Sequence, residues 1–68
     1  MKVKNLVKKI EKDVRFCLVV EDTYISNRED IDDYFANCRV KRIGYDIMDM
    51  RMMIIAEPKG KETVYYGN

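Results

Sequence analysis

The sequence predicts an α+β fold, a single domain over 1–68 with its helices packed on one face of a three- to four-stranded sheet. Three observations predict it. The apolar spacing switches repeatedly between a helical and a strand period. A chain of 68 residues has room for only one domain. With 47% hydrophobic and 37% charged residues, 13 basic against 12 acidic, it carries a formal net charge of +1, which excludes disordered, collagen-like and polybasic classes.

The expected order is α-β-α-β-β with a short C-terminal edge strand. Val3, Leu6, Val7 and Ile10 recur at i, i+3, i+4 and i+7 and so share one face of a first helix, with Lys2, Lys4, Lys8, Lys9 and Lys12 around the remainder. Val14, Phe16, Leu18 and Val20 then alternate, which predicts a first strand over 14–21. Ser26-Asn27-Arg28-Glu29 has the S-x-x-E form of a capping box and predicts the start of a second helix, with Ile31, Tyr34, Phe35 and Cys38 on its apolar face. Glu29, Asp30, Asp32 and Asp33 would sit near its positive end.

Two strands follow, one carrying Ile43, Tyr45 and Ile47, the other Met50, Met52, Ile54 and Ala56, with a turn near Met48-Asp49. Val40 is out of phase with Ile43, which predicts a bulge or a late strand start. Glu57-Pro58-Lys59-Gly60 has turn chemistry, and Thr63-Val64-Tyr65-Tyr66 reads as the edge strand. A helical crossover between the first two strands, if these are parallel, should be right-handed. Phe16, Leu18, Leu6, Ile10, Phe35 and Ile54 are the expected core.

The absence of histidine removes Ser-His-Asp and Cys-His catalysis and imidazole metal ligation. Cys17 and Cys38 lack a C-x-x-C spacing and read as buried thiols. No run reaches the roughly 18 apolar residues of a membrane span, and the first residues have no signal-peptide core, so a reducing cytoplasm is the expected location. Glu57 and Lys59, with Asp46 and Asp49 upstream, resemble the acidic-plus-lysine site of restriction-type nucleases, which would hold Mg²⁺. A plain turn explains Glu57-Pro58-Lys59 equally, and the proline bends the strand where such a site must be rigid. Glu21, Asp22, Glu29, Asp30, Asp32 and Asp33 lack a calcium-loop pattern and read as solvated and helix-capping groups. No enzyme, metal or cofactor motif is left.

Two binding surfaces remain. Met48, Met50, Met52 and Met53, with Tyr65 and Tyr66, combine adaptable thioethers with interface-prone tyrosines and are the expected contact with a protein partner. Lys4, Lys8, Lys9 and Lys12 are the alternative, a basic face for a nucleic-acid backbone. Charge is segregated: residues 1–20 are basic, 21–35 acidic and 36–68 mildly basic. Such asymmetry steers charged partners or lets two copies meet, and a chain this small, burying only about 60% of its unfolded surface, gains from a homodimer.

Met1-Lys2-Val3-Lys4-Asn5-Leu6, Leu18-Val19-Val20-Glu21-Asp22 and Tyr34-Phe35-Ala36-Asn37-Cys38-Arg39-Val40 leading into an apolar hairpin together resemble the short uncharacterised α/β proteins encoded by phages, plasmids and conjugative elements of Gram-positive bacteria. The resemblance covers roughly residues 1–56, and the basic, aromatic tail from Lys59 onward departs from it. It implies no catalytic residues. It implies a stoichiometric inhibitor of a larger bacterial protein, such as a defence enzyme, in the manner of anti-CRISPR proteins.

Overall fold

Residues 1–58 are described by the computed structural model, and the Lys59-Gly60 half of the expected turn and the expected strand Thr63–Tyr66 lie outside them. The elements are α1 (Val3–Lys9), β1 (Phe16–Val20), β2 (Thr23–Ile25), a single 3-10 turn (Arg28–Asp30), α2 (Asp33–Ala36), β3 (Arg39–Asp46) and β4 (Arg51–Glu57). The strands form one mixed sheet in the order β2-β1-β4-β3. β1 runs antiparallel to β2 and parallel to β4, and β4 is antiparallel to β3. An α+β domain is the result.

The central strands are the ones whose residues are apolar on both faces. Phe16, Leu18 and Val20 of β1 and Ile54 and Ala56 of β4 are buried with Val3, Ile25 and Cys38, and Leu6, Val7, Ile10, Ile31, Phe35, Val40 and Met52 pack against this cluster. Of the expected core, Phe16, Leu18 and Ile54 are at the centre, whereas Leu6, Ile10 and Phe35 are only half-buried at its rim. The centre goes to Val3 and Cys38 instead. The two are stitched together, the Val3 N–H donating to the Cys38 carbonyl at 2.9 Å and the Val40 N–H to the Met1 carbonyl at 2.8 Å.

Five expectations are corrected. A second strand, β2, follows β1 through a two-residue turn at Glu21-Asp22, with Val20 opposite Thr23. Glu21 closes it in the left-handed region (φ 54°), so no glycine advertised the hairpin. The first strand is accordingly shorter than 14–21, with Val14 exposed before it. The second helix does not start at Ser26: residues 28–30 form the 3-10 turn, Ile31 is extended (φ −88°, ψ 96°), and α2 begins after Asp32, whose carboxylate accepts the Phe35 N–H at 3.1 Å. No parallel pair joins the strand after α2 to β1, because β1 takes β4 as its parallel neighbour. Finally, Ile47 and Met50 belong to the turn between β3 and β4 rather than to the strands.

The phase slip at Val40 is a bulge, seen as a register shift between Val40 and Arg42 against Ala56 and Ile55. Cys17 and Cys38 are free and buried.

Candidate functional site

Among the described residues β3 is an edge strand, and beyond Val40 the apolar residues along it and in the turn that follows are left in solvent. Ile43 is 48% exposed, Tyr45 61%, Ile47 77%, Met48 90% and Met50 64%. In the ladder Ile43 and Tyr45 stand opposite Ile54 and Met52 and therefore share their face, yet the core cluster stops at Met52. An apolar ridge thus runs along the outer part of β3 into the turn over 47–50.

That turn is held by one carboxylate. Asp46 accepts the N–H groups of Met48 at 3.1 Å and Asp49 at 3.3 Å, and its other oxygen meets the Arg51 guanidinium at 3.4 Å. Arg51 also reaches Asp49 at 3.4 Å. The Asp49 and Met48 backbone amides and the Arg51 charge favour the ionised form and hold the Asp46 carboxyl below its ordinary value against a smaller opposing effect of burial. Met50 closes the turn with φ 55°. The four tip residues are therefore presented by a hydrogen-bonded loop, not by a limp one.

The residues expected to contact a protein partner do not form one group. Met48 and Met50 are exposed at the tip. Met52 packs against the core, and Met53, on the opposite face of β4, is half-buried opposite Cys17 and Gly44. Tyr65 and Tyr66 lie outside the described residues. Ile43, Tyr45 and Ile47 are exposed beside Met48 and Met50, which the sequence did not signal, because alternation marks a strand face without saying what covers it.

Lys4, Lys8 and Lys9 are exposed on α1, and Lys12 is exposed in the loop after it. Two of the four, Lys12 and Lys4, line separate clefts. Lys12 lines a cleft of about 410 Å³ with Arg15, Arg28 and Arg51, beside the acids Asp13 and Glu29. Lys4 lines another of about 400 Å³ with Lys2, Asn5 and Arg39. Arg28 is a structural clamp that no local pattern revealed. Its guanidinium donates to the carbonyls of Val7 at 2.8 Å, Ile10 at 2.6 Å and Glu11 at 2.9 Å, and it lies over the Phe16 ring at 5.6 Å. It satisfies the orphan carboxyl end of α1.

Among the described residues the carboxylates of the nuclease-like pattern do not converge. Glu57 ends β4 and pairs with Lys41 at 3.8 Å, whereas Asp46 stands opposite Arg51 at the other end of that strand. Six residues of strand separate the two ends by about 20 Å, too far for one metal ion to bridge. Glu21 and Asp22 lie at the β1–β2 turn, Asp30 accepts from Asn27 at 3.5 Å, and Asp32 caps α2. Among the described residues no group of three His, Cys, Asp or Glu side chains could hold a metal. Burial, then the charges of Glu21 and Asp32, pushes the Cys38 thiol up, so it stays protonated and donates to the Tyr34 carbonyl at 3.4 Å. Among the described residues no helix is long and apolar enough to cross a membrane.

Comparison of the chain with protein-family models, with curated proteins and with solved structures returns no match.

Proposed function

We propose that the protein is a non-enzymatic protein-binding module of the bacterial cytoplasm that engages a larger protein through the tip of the β3–β4 hairpin. One observation carries this reading: Ile47, Met48 and Met50 are largely solvent-exposed on a turn that Asp46 and Arg51 hold in place. A preorganised apolar tip loses little conformational freedom on docking, and methionine adapts to irregular pockets. The resemblance to mobile-element proteins extends the reading to a stoichiometric inhibitor of a defence enzyme, of the anti-CRISPR kind.

Capture from lysate of a Gram-positive host, with and without nuclease, tests it. A stoichiometric protein retained by the wild type, insensitive to nuclease and lost with Met48→Asp supports the reading. Retention unaffected by that substitution would remove the tip from it. A second reading, nucleic-acid binding, is favoured by the Lys12 and Arg15 cleft and the exposed lysines of α1. It predicts affinity that falls steeply with salt as phosphate counterions are released, whereas an apolar contact is nearly salt-independent.

A further inference from the structure

The outer edge of β3 has a definite hydrogen-bonding phase. Met52 donates its backbone N–H to the Arg15 carbonyl at 2.9 Å, so its polar backbone groups face β1. Its partner across the β3–β4 ladder, Tyr45, must then turn its own N–H and C=O away from β4. Ile43, opposite Ile54, has the same orientation. Val40 shows the edge in use, because its N–H is taken by Met1 and Lys2 bridges to Arg39. Beyond Val40, no described strand lies outside β3.

We propose that this free edge pairs with β3 of a second copy, antiparallel, about a twofold axis at Gly44. Ile43 then faces Tyr45 of the second copy, and each such pair exchanges two N–H···O bonds from the groups already turned outward. Arg42 faces Asp46 of the second copy on the opposite face of the sheet. Arg42 is exposed and has no ion-pair partner among the described residues. Asp46 has spent three acceptor positions on Met48, Asp49 and Arg51, and a carboxylate offers about four. The phase of the edge allows registers only in steps of two. An axis at Ile43 sets Arg42 against Gly44, and one at Tyr45 sets Asp46 against Gly44, so neither joins the charges. The segment Arg42-Ile43-Gly44-Tyr45-Asp46 is self-complementary in one register, cation to anion and β-branched to aromatic. This contact lies along the flank of β3 and stands apart from the docking of the tip.

Gly44 supplies the test. A Cβ placed there meets nothing within 4 Å, so a side chain starts from this position without a clash. In sedimentation equilibrium at about 100 μM, where a Kd near 10 μM is well populated, the wild-type full chain is expected to be dimeric. Gly44→Glu and Gly44→Lys each bring like charges together on the axis and are expected to weaken the dimer about tenfold or more. An equimolar mixture of the two variants restores association. Oxidised Gly44→Cys is expected to link to itself, since the Cα atoms of a directly opposed, non-hydrogen-bonded pair are about 4.5 Å apart, whereas Ile43→Cys is not. A monomeric wild type overturns the proposal. So does a dimer that both charge variants leave unchanged, which would assign the contact to the tip or to residues 59–68. So does a dimer strengthened by one variant alone, the mark of a shifted register. Met48→Asp leaves the dimer intact, which separates this contact from the tip reading.

Discussion

Phe16, Leu18 and Val20 of β1 and Ile43 and Tyr45 of β3 follow the same alternation, and the ladders through β4 place both sets on the same face of the sheet. Leu18 is 0% exposed and Phe16 4%, whereas Ile43 and Tyr45 stand about half in water. Intrinsic hydrophobicity does not separate them. Position in the sheet does: β1 is flanked by β2 and β4 and contributes to a cluster that α1 supplies with Val3, Leu6 and Val7, while β3 is an edge whose outer residues that cluster does not reach. The same pattern is therefore buried in one strand and left in solvent in the other.

Truncation along the two strands tests this division most strongly. Leu18→Ala is expected to cost about 2–5 kcal/mol through lost burial and a residual cavity, enough to unfold much of so small a domain. Ile43→Ala should stay within about 1 kcal/mol, because only partial burial is lost. Denaturant midpoints at a constant slope measure both. Equal losses would show that β3 is covered in solution.

The sequence made the two central strands, the first helix and the bulge beside Lys41 legible, because each leaves a periodic trace within a few residues. It concealed β2, since three residues are too short for a period and Glu21, not glycine, takes the left-handed turn position. It misplaced the second helix because Ser26 and Glu29 satisfy a local rule while Arg28, between them, is drawn to carbonyls 17 to 21 residues away. The residues expected to contact a partner divided in the same way: Met48 and Met50 stand in solvent at the turn whereas Met52 packs against the core, because alternation names a face without naming the neighbour that covers it.

Arg28 marks the next largest difference between the clamped and the open parts of the molecule. Removing it with Arg28→Ala leaves three carbonyls at the end of α1 without their donor and bares part of Phe16, an expected loss of about 1–3 kcal/mol. Arg28→Lys should recover little, since an ammonium lacks the planar fork that reaches several acceptors at once. Faster amide hydrogen exchange in α1 than in β4 locates the damage. Full recovery by lysine would show that charge alone is at work.

At the open end, Asp46 makes the tip sensitive to acid. Its carboxyl in the folded chain titrates below the ordinary carboxylate value, so the stabilisation it gives is fully present above about pH 4 and is lost as pH falls through the lowered folded value. The Met48 and Asp49 amide resonances should therefore titrate together in acid, with a midpoint below the usual aspartate range. Asp46→Asn should abolish that titration and should differ from the wild type less in strong acid than at neutral pH. Amides that do not move with pH would detach the carboxylate from the turn.

The smallest effect expected is the one that most directly separates stability from contact. Met50 adopts φ 55°, a conformation that costs a residue with a Cβ about 1–2 kcal/mol and costs glycine almost nothing. Glycine loses more chain entropy on folding, by roughly 0.5–1 kcal/mol, so Met50→Gly should leave a net gain of about 0.5 kcal/mol. The same substitution deletes an apolar side chain that is 64% exposed and makes no contribution to the core cluster. A thermal melt should therefore rise slightly while retention of the partner protein falls. A gain in stability with undiminished retention would assign Met50 to the turn alone and confine the contact to Ile47 and Met48. A loss of stability would show that the chain-entropy cost of glycine outweighs the relief of the left-handed backbone.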